Sequence, residues 1–298
     1  MRVRNFGGYR LETFLGGGTY TKVYKAHSFL AKPLYGNPVA IKLLYLKGGL
    51  REKAKLIKQF EREAEIAMNL NHQNVVKVFN FGKYDNHYAM IMEYVDGKNL
   101  KEILYEREKL PLSLLLKICI EAGKGLEYIH QHGIVHKDVK PDNILVSRDY
   151  KVVKITDFGI AKLPGKIWKK DIFPKGGTIT KFSAISYMAP EQAEGRATFQ
   201  SDIYSYGVTM DEVITAKMEI EGKNDEDYFA RIDIRAYRKN TGKQLILCED
   251  LPIPEKLKEI IKKATTPDIS SRYQTMREVL LELSPLMEEF YKKEREET

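Results

Sequence analysis

Ile134-Val135-His136-Lys137-Asp138-Val139-Lys140-Pro141-Asp142-Asn143-Ile144-Leu145 is the stretch that decides the fold, and Thr156-Asp157-Phe158-Gly159 follows it after a short strand. A carboxylate, a lysine two places on and an asparagine amide beyond it stand between apolar runs. Short strands are expected at 143–146 and 152–156, where aliphatic and β-branched residues gather. Just upstream, Leu114, Leu115, Ile118, Cys119, Ala122, Leu126 and Ile129 carry a helical pattern that Gly133 can cap. After Gly159 a polar loop rich in lysine runs to about Ser186, and further helices continue to the end.

Farther upstream the pattern changes. From Tyr9 to about Tyr94 the chain reads as short strands, at 9–14, 23–27, 39–44, 75–81 and 87–93, divided by turn residues. One helix, expected between Glu52 and Leu70, interrupts them. Leu56, Phe60, Glu63 and Ala67 fall on one face of it, so Glu63 is a carboxylate set in an apolar stripe. In Val39-Ala40-Ile41-Lys42 a lysine interrupts an apolar strand, and a buried ammonium requires a partner. Glu63 is the candidate, and one ion pair then explains both inward charges. The run Leu15-Gly16-Gly17-Gly18-Thr19-Tyr20-Thr21-Lys22-Val23 lies between two strands, where glycines let backbone amides approach a phosphate or simply form a hairpin.

Taken in order, the glycine loop, Val-Ala-Ile-Lys, the helix glutamate, His-Lys-Asp with its lysine and asparagine, Asp-Phe-Gly and Ala189-Pro190-Glu191 resemble the eukaryotic-type (Hanks-type) serine/threonine protein kinase family. Ser201-Asp202-Ile203-Tyr204-Ser205-Tyr206-Gly207 and Arg272 resemble the family's later landmarks, and the similarity runs from about Tyr9 to Leu283. The resemblance implies an α+β, bilobal fold, with a small antiparallel N-lobe sheet, one main N-lobe helix and a larger, mainly helical C-lobe. It implies a kinase domain over 9–288, divided into an N-lobe at 9–92, a hinge at 93–97 and a C-lobe at 98–288, with a charged tail at 289–298. That tail, from Pro285, is expected to be a surface helix that frays.

The function implied is transfer of the γ-phosphoryl group of ATP to serine or threonine hydroxyls of proteins. Such a reaction asks a protein mainly for positioning and charge neutralisation. By the resemblance, Asp138 accepts or orients the hydroxyl proton and Lys140 neutralises charge on the transferred group. Asn143 and Asp157 offer oxygens to magnesium, with manganese as an alternative. Lys42, held by Glu63, contacts the non-transferred phosphates, with the loop Leu15 to Val23 over them. Val23, Ala40 and Leu145 contact adenine, backbone groups of Glu93 and Val95 read its edge, and Met92 guards the back of the pocket. His136 and Phe158 are expected to pack, Asp202 to anchor the catalytic loop, and Glu191 to pair with Arg272. A lysine at the position of Lys140 marks serine/threonine rather than tyrosine kinases in this family.

Three positions depart from the family pattern. Thr21 replaces the third glycine of the loop, Lys137 stands where arginine is usual, and Ala184 replaces a threonine near the catalytic aspartate. Lysine offers an activation-loop phosphate a point charge rather than a planar fork. Thr178, Thr180, Ser183 and Ser186 are candidates for autophosphorylation.

Composition narrows the rest. The 298 residues, 43% hydrophobic and 30% charged, suit a folded globular protein. The apolar run from Leu112 to Ile120 is far shorter than a membrane span, and the first residues lack a signal-peptide core, so the cytoplasm is expected. A net charge of +8 comes without a basic stretch interleaved with aromatics, so nucleic acid is not an expected partner. Protein substrates and ATP are the expected partners, and oligomeric state is left open. Cys119 and Cys248 read as buried thiols.

Overall fold

The computed structural model describes residues 5–6, 8–84, 87–106, 110–158, 186–222 and 253–296, without the side chains of Asn5 and of 217–222. Gly159, Thr178, Thr180, Ser183, Ala184 and Cys248 lie outside the described residues. The chain divides into two compact units, residues 1–96 and 97–298.

Alternation of side chains builds the first unit. Strands β1 (Asn5–Phe6), β2 (Tyr9–Gly17), β3 (Thr21–Ser28), β4 (Val39–Leu44), β5 (Val78–Tyr84) and β6 (His87–Glu93) form an antiparallel sheet in the order β1-β2-β3-β4-β6-β5. Val39, Ile41 and Leu43 of β4 share a core with Phe6, Tyr9, Tyr24, Ala26, Ala89 and Ile91. Because successive strand residues face opposite sides, Ala40, Lys42 and Leu44 turn to the other face. Helix α1 (Leu50–Met68) buries Phe60, Glu63, Ala64 and Ala67. Strand β2 runs past the expected end at Phe14 to Gly17, with register irregularities on either side of Phe14 that carry the ladder into the glycine turn. Strand β5 starts later than Val75, because the buried Val75 and Val76 pack without joining the ladder.

The second unit is mainly helical. A small sheet joins β7 (Gly97–Asn99), β8 (Ile144–Ser147) and β9 (Val153–Ile155) in that order. A Cβ on Gly97 would lie 1.8 Å from the Val146 carbonyl oxygen, so only glycine admits this approach of strands. Helix α2 (Leu100–Tyr105) starts with the Asn99 side chain capping Glu102. Helix α3 (Leu112–Gln131) is the axis of the core, its buried residues including Leu115, Ile118, Cys119, Leu126 and Ile129. It ends at Gly133, which takes a left-handed φ of 71°. Helices α4 (Pro190–Ala193), α5 (Phe199–Gly222), α6 (Glu255–Ala264) and α7 (Met276–Glu296) complete the unit. Cys119 is buried, which pushes its thiol up to about 12. The two-unit α+β architecture expected from the sequence is therefore the one observed.

The charged end of the chain is helical, as expected, as far as Glu296. Helix α7 carries Pro285 in its interior and continues to Glu296. Its Glu294 accepts the Ser113 backbone N–H at 3.2 Å and also the Ser113 hydroxyl. Pro111 precedes α3 without a side-chain cap, so the first amides of α3 need a partner and the end of α7 supplies it. Glu294→Ala should lower stability by about 1 kcal/mol in urea unfolding, and Ser113→Ala should add little on top of it. Additive losses would show that the contact does not form.

Candidate active site

Two charged clusters stand out, one in each unit. In the first unit, strand alternation points Lys42 away from the apolar core, and one turn of α1 aims Glu63 at it. The Lys42 Nζ lies 2.6 Å from Glu63 Oε1, with both residues buried. The sheet register sets Lys42 beside Val23 on β3 and Met90 on β6, and Ala40 beside Met92. The glycine run forms the β2–β3 hairpin, with Gly16 opposite Val23 and Gly17 opposite Lys22. A Cβ on Gly17 would meet the Thr21 carbonyl oxygen at 2.3 Å, so this hairpin closes only on glycine. Leu15, near the end of β2, and Tyr20, in the turn, are 41% and 44% exposed. Lys22 reaches over the Tyr45 ring, and Thr19 and Gly18 complete the turn. Glu93, at the end of β6, donates its backbone N–H to the Lys77 carbonyl at 2.8 Å. Val95 follows two residues later and is half-buried.

The second cluster grows from the turn at Pro141–Asn143. Lys140 Nζ donates to both Asp138 oxygens, at 3.0 and 2.9 Å. Asn143 Nδ2 donates to the Asp138 backbone carbonyl at 2.7 Å and to its Oδ2 at 2.9 Å. Lysine and amide thus hold the carboxylate from two sides. Burial works against the Lys140 ammonium, yet the charge and hydrogen bonds of Asp138, with Asp142 and Asp157 farther off, raise its pKa above the ordinary lysine value.

His136 sits beneath this cluster, fully buried against Phe158 at 5.3 Å between ring centroids. Its Nε2 faces the Thr156 carbonyl at 3.2 Å and must carry the proton, so Nδ1 accepts the Asp138 N–H at 3.3 Å. The buried Asp202, at the start of α5, accepts the His136 and Lys137 N–H groups, each at 2.7 Å, and contacts His130 Nε2 at 2.9 Å. The Asn143 carbonyl accepts the Thr156 N–H at 3.0 Å, so the turn bearing Asn143 is tied to the segment bearing Asp157. Lys137 and Asp157 adopt left-handed φ values of 70° and 71°. Leu145 pairs with Lys154 and Asn99 in the small sheet and is half-buried.

The donor set suits a hard divalent cation. Asn143 spends its amide nitrogen on Asp138, so its carbonyl oxygen is the atom left for a ligand, and Asp157 supplies a carboxylate. Asp138, Asp142 and Asp157 all act on Lys140, which marks a local concentration of negative charge that a cation would offset. Two protein oxygens of this kind would hold such a cation together with oxygens from phosphate or water.

Structure also adds contacts that the residue pattern does not announce. Gln192 donates from Nε2 to the Lys137 carbonyl at 2.8 Å. Glu212 of α5 bonds both Lys101 and Tyr187. Ser186 is 4% exposed, so this hydroxyl is a poor acceptor for phosphorylation in the state described.

The family model described as the protein kinase domain matches residues 9–282. A probable serine/threonine-protein kinase of Clostridium perfringens is 34% identical over 93% of this chain and 38% of its own length. The serine/threonine-protein kinase PrkC of Bacillus subtilis is 31% identical over 92% of this chain and 39% of its own. PknB of Mycobacterium tuberculosis is 30% identical over 92% and 42%. The chain thus spans about two fifths of the length of these relatives. None of the described helices is long and apolar enough to cross a membrane.

Proposed function

This chain belongs to the protein kinase family, and from that premise we propose that it transfers the γ-phosphoryl group of ATP to serine or threonine hydroxyls of proteins. The observation that carries the proposal is the carboxylate of Asp138 held by Lys140 and Asn143, on a loop anchored by Asp202. Proton acceptor, cation and metal-suited oxygen stand together there, which are the parts this chemistry asks of a protein. The names of the relatives, serine/threonine-protein kinases, support the acceptor class.

In this reading Asp138 takes the hydroxyl proton or aligns the oxygen for attack, and Lys140 offsets charge on the group in transfer. Asn143 and Asp157 would hold Mg²⁺ or Mn²⁺, which would neutralise phosphate charge. Lys42, paired with Glu63, holds the phosphates that stay behind. Hairpin amides from Gly16, Gly17, Gly18, Thr19, Tyr20 and Thr21 cover them, flanked by Leu15, Lys22 and Val23. Ala40, Met92, Glu93, Val95 and Leu145 serve the adenine. Relatives of more than twice this length carry segments that this chain does not match, so its physiological substrate is taken only as a protein.

The test is transfer of label from γ-labelled ATP to a basic protein, with Mg²⁺, with Mn²⁺ and with chelator. Label in the protein with either ion, and none with chelator, is expected. Nucleotide binding with no labelled protein under any condition would contradict the proposal.

A further inference from the structure

We infer that Gln192 is a positioning residue for Asp138, acting through the peptide bond that joins Lys137 to Asp138. This rests on the reading above of Asp138 as the catalytic carboxylate. Lys137 holds a left-handed φ of 70°, a conformation that a side-chain-bearing residue keeps only where its surroundings impose it. Both ends of the residue are held. Its N–H goes to Asp202 at 2.7 Å, and its carbonyl accepts from Gln192 Nε2 at 2.8 Å.

That carbonyl belongs to the same rigid peptide unit as the Asp138 N–H, which donates to His136 at 3.3 Å. The plane preceding the Asp138 Cα is therefore pinned at its oxygen by Gln192 and at its nitrogen by His136. If the oxygen end is released, the plane can rotate, and the carboxylate swings with it. A small error in the placement of a reacting group is costly in rate.

Gln192 is well placed to act as a fixed point. It is 6% exposed, and helix α4 is locked through the preceding residue, since Glu191 accepts from Ser201 at 2.7 Å and from Arg272 at 2.8 Å. Its Oε1 is buried and has no hydrogen-bond partner among the described residues. Among the described residues the side-chain amide makes one bond, and that bond goes to the loop bearing Asp138. A glutamine kept only for solubility would be solvated, and one kept only for packing would not need a donor. An adjacent pair in one short helix therefore divides its work, with Glu191 fixing α4 to the body of the unit and Gln192 fixing the loop to α4.

The experiment compares Gln192→Met, which keeps volume and removes the donor, with Gln192→Glu, which donates only when protonated. The measurements are kcat, KM for ATP and KM for a protein substrate, on the full chain, at a temperature where circular dichroism shows each variant folded. Gln192→Met should lose about ten- to a hundredfold in kcat, with both KM values within about twofold. Its rate relative to wild type should stay flat with pH. The ratio for Gln192→Glu should rise as pH falls, because burial beside a carbonyl favours the protonated, donating form.

If Gln192→Met does not fold, the acid recovery of Gln192→Glu decides alone. A Met variant with unchanged kcat, a loss confined to KM, or a Glu ratio with no acid rise would overturn the inference. Asp138→Asn separates the two layers. Equal activity of Asp138→Asn and wild type would sink the parent reading, whereas an inactive Asp138→Asn beside a normal Gln192→Met would sink this inference alone.

Discussion

Asp138→Asn should lower phosphoryl transfer by about a hundred- to ten-thousandfold while ATP affinity stays within about threefold of wild type. The substitution removes the proton acceptor and one negative charge but keeps the shape. It also leaves the loop in place, because Asn143 still reaches the backbone carbonyl of residue 138 and Asp202 still holds His136 and Lys137. No nucleotide role is proposed for Asp138, so binding has no reason to change. Affinity that collapsed together with the rate would show that the carboxylate holds structure rather than performs chemistry.

Arg272→Ala should cost about 3–5 kcal/mol of stability, a large share of the 5–15 kcal/mol typical of a folded domain. The guanidinium is buried and reaches Glu191 Oε1 at 2.8 Å as well as the carbonyls of Gln200, Thr266 and Pro267. Truncation strands a buried carboxylate and three carbonyls at once. Burial pushes the Glu191 pKa up, but hydrogen bonds from Arg272 and Ser201 and the Arg272 charge bring it below the ordinary glutamate value of 4.5. A depressed folded value means that the pair stabilises fully above that pH and loses its contribution as pH falls through the folded pKa. Urea unfolding should therefore show the gap between wild type and Arg272→Ala wide near neutral pH and narrowing below about pH 4.5. A gap independent of acid would assign the loss to packing instead of charge.

The catalytic pattern was legible because its members sit at short, fixed offsets, so that Asp138, Lys140 and Asn143 need one turn to meet. The Lys42 and Glu63 contact was legible for a different reason. Each is a charge in an otherwise apolar stripe, and two such exceptions find the least costly burial together. Gln192 and Glu294 gave no such signal. Glutamine and glutamate in a helix are ordinarily solvated, and their partners, the Lys137 carbonyl and the start of α3, lie far away in sequence. Strand ends were less legible than strand cores, since Gly16 and Gly17 read as turn residues although the β2 ladder extends through them.

The measurement that tests the account most directly is the identity of the labelled residue after incubation with γ-labelled ATP, a divalent cation and a protein substrate. Wild type and Asp138→Asn should be run side by side. Phosphoserine or phosphothreonine from wild type, and neither from Asp138→Asn, is the predicted result. Label on tyrosine alone, or equal label from both proteins, would contradict it.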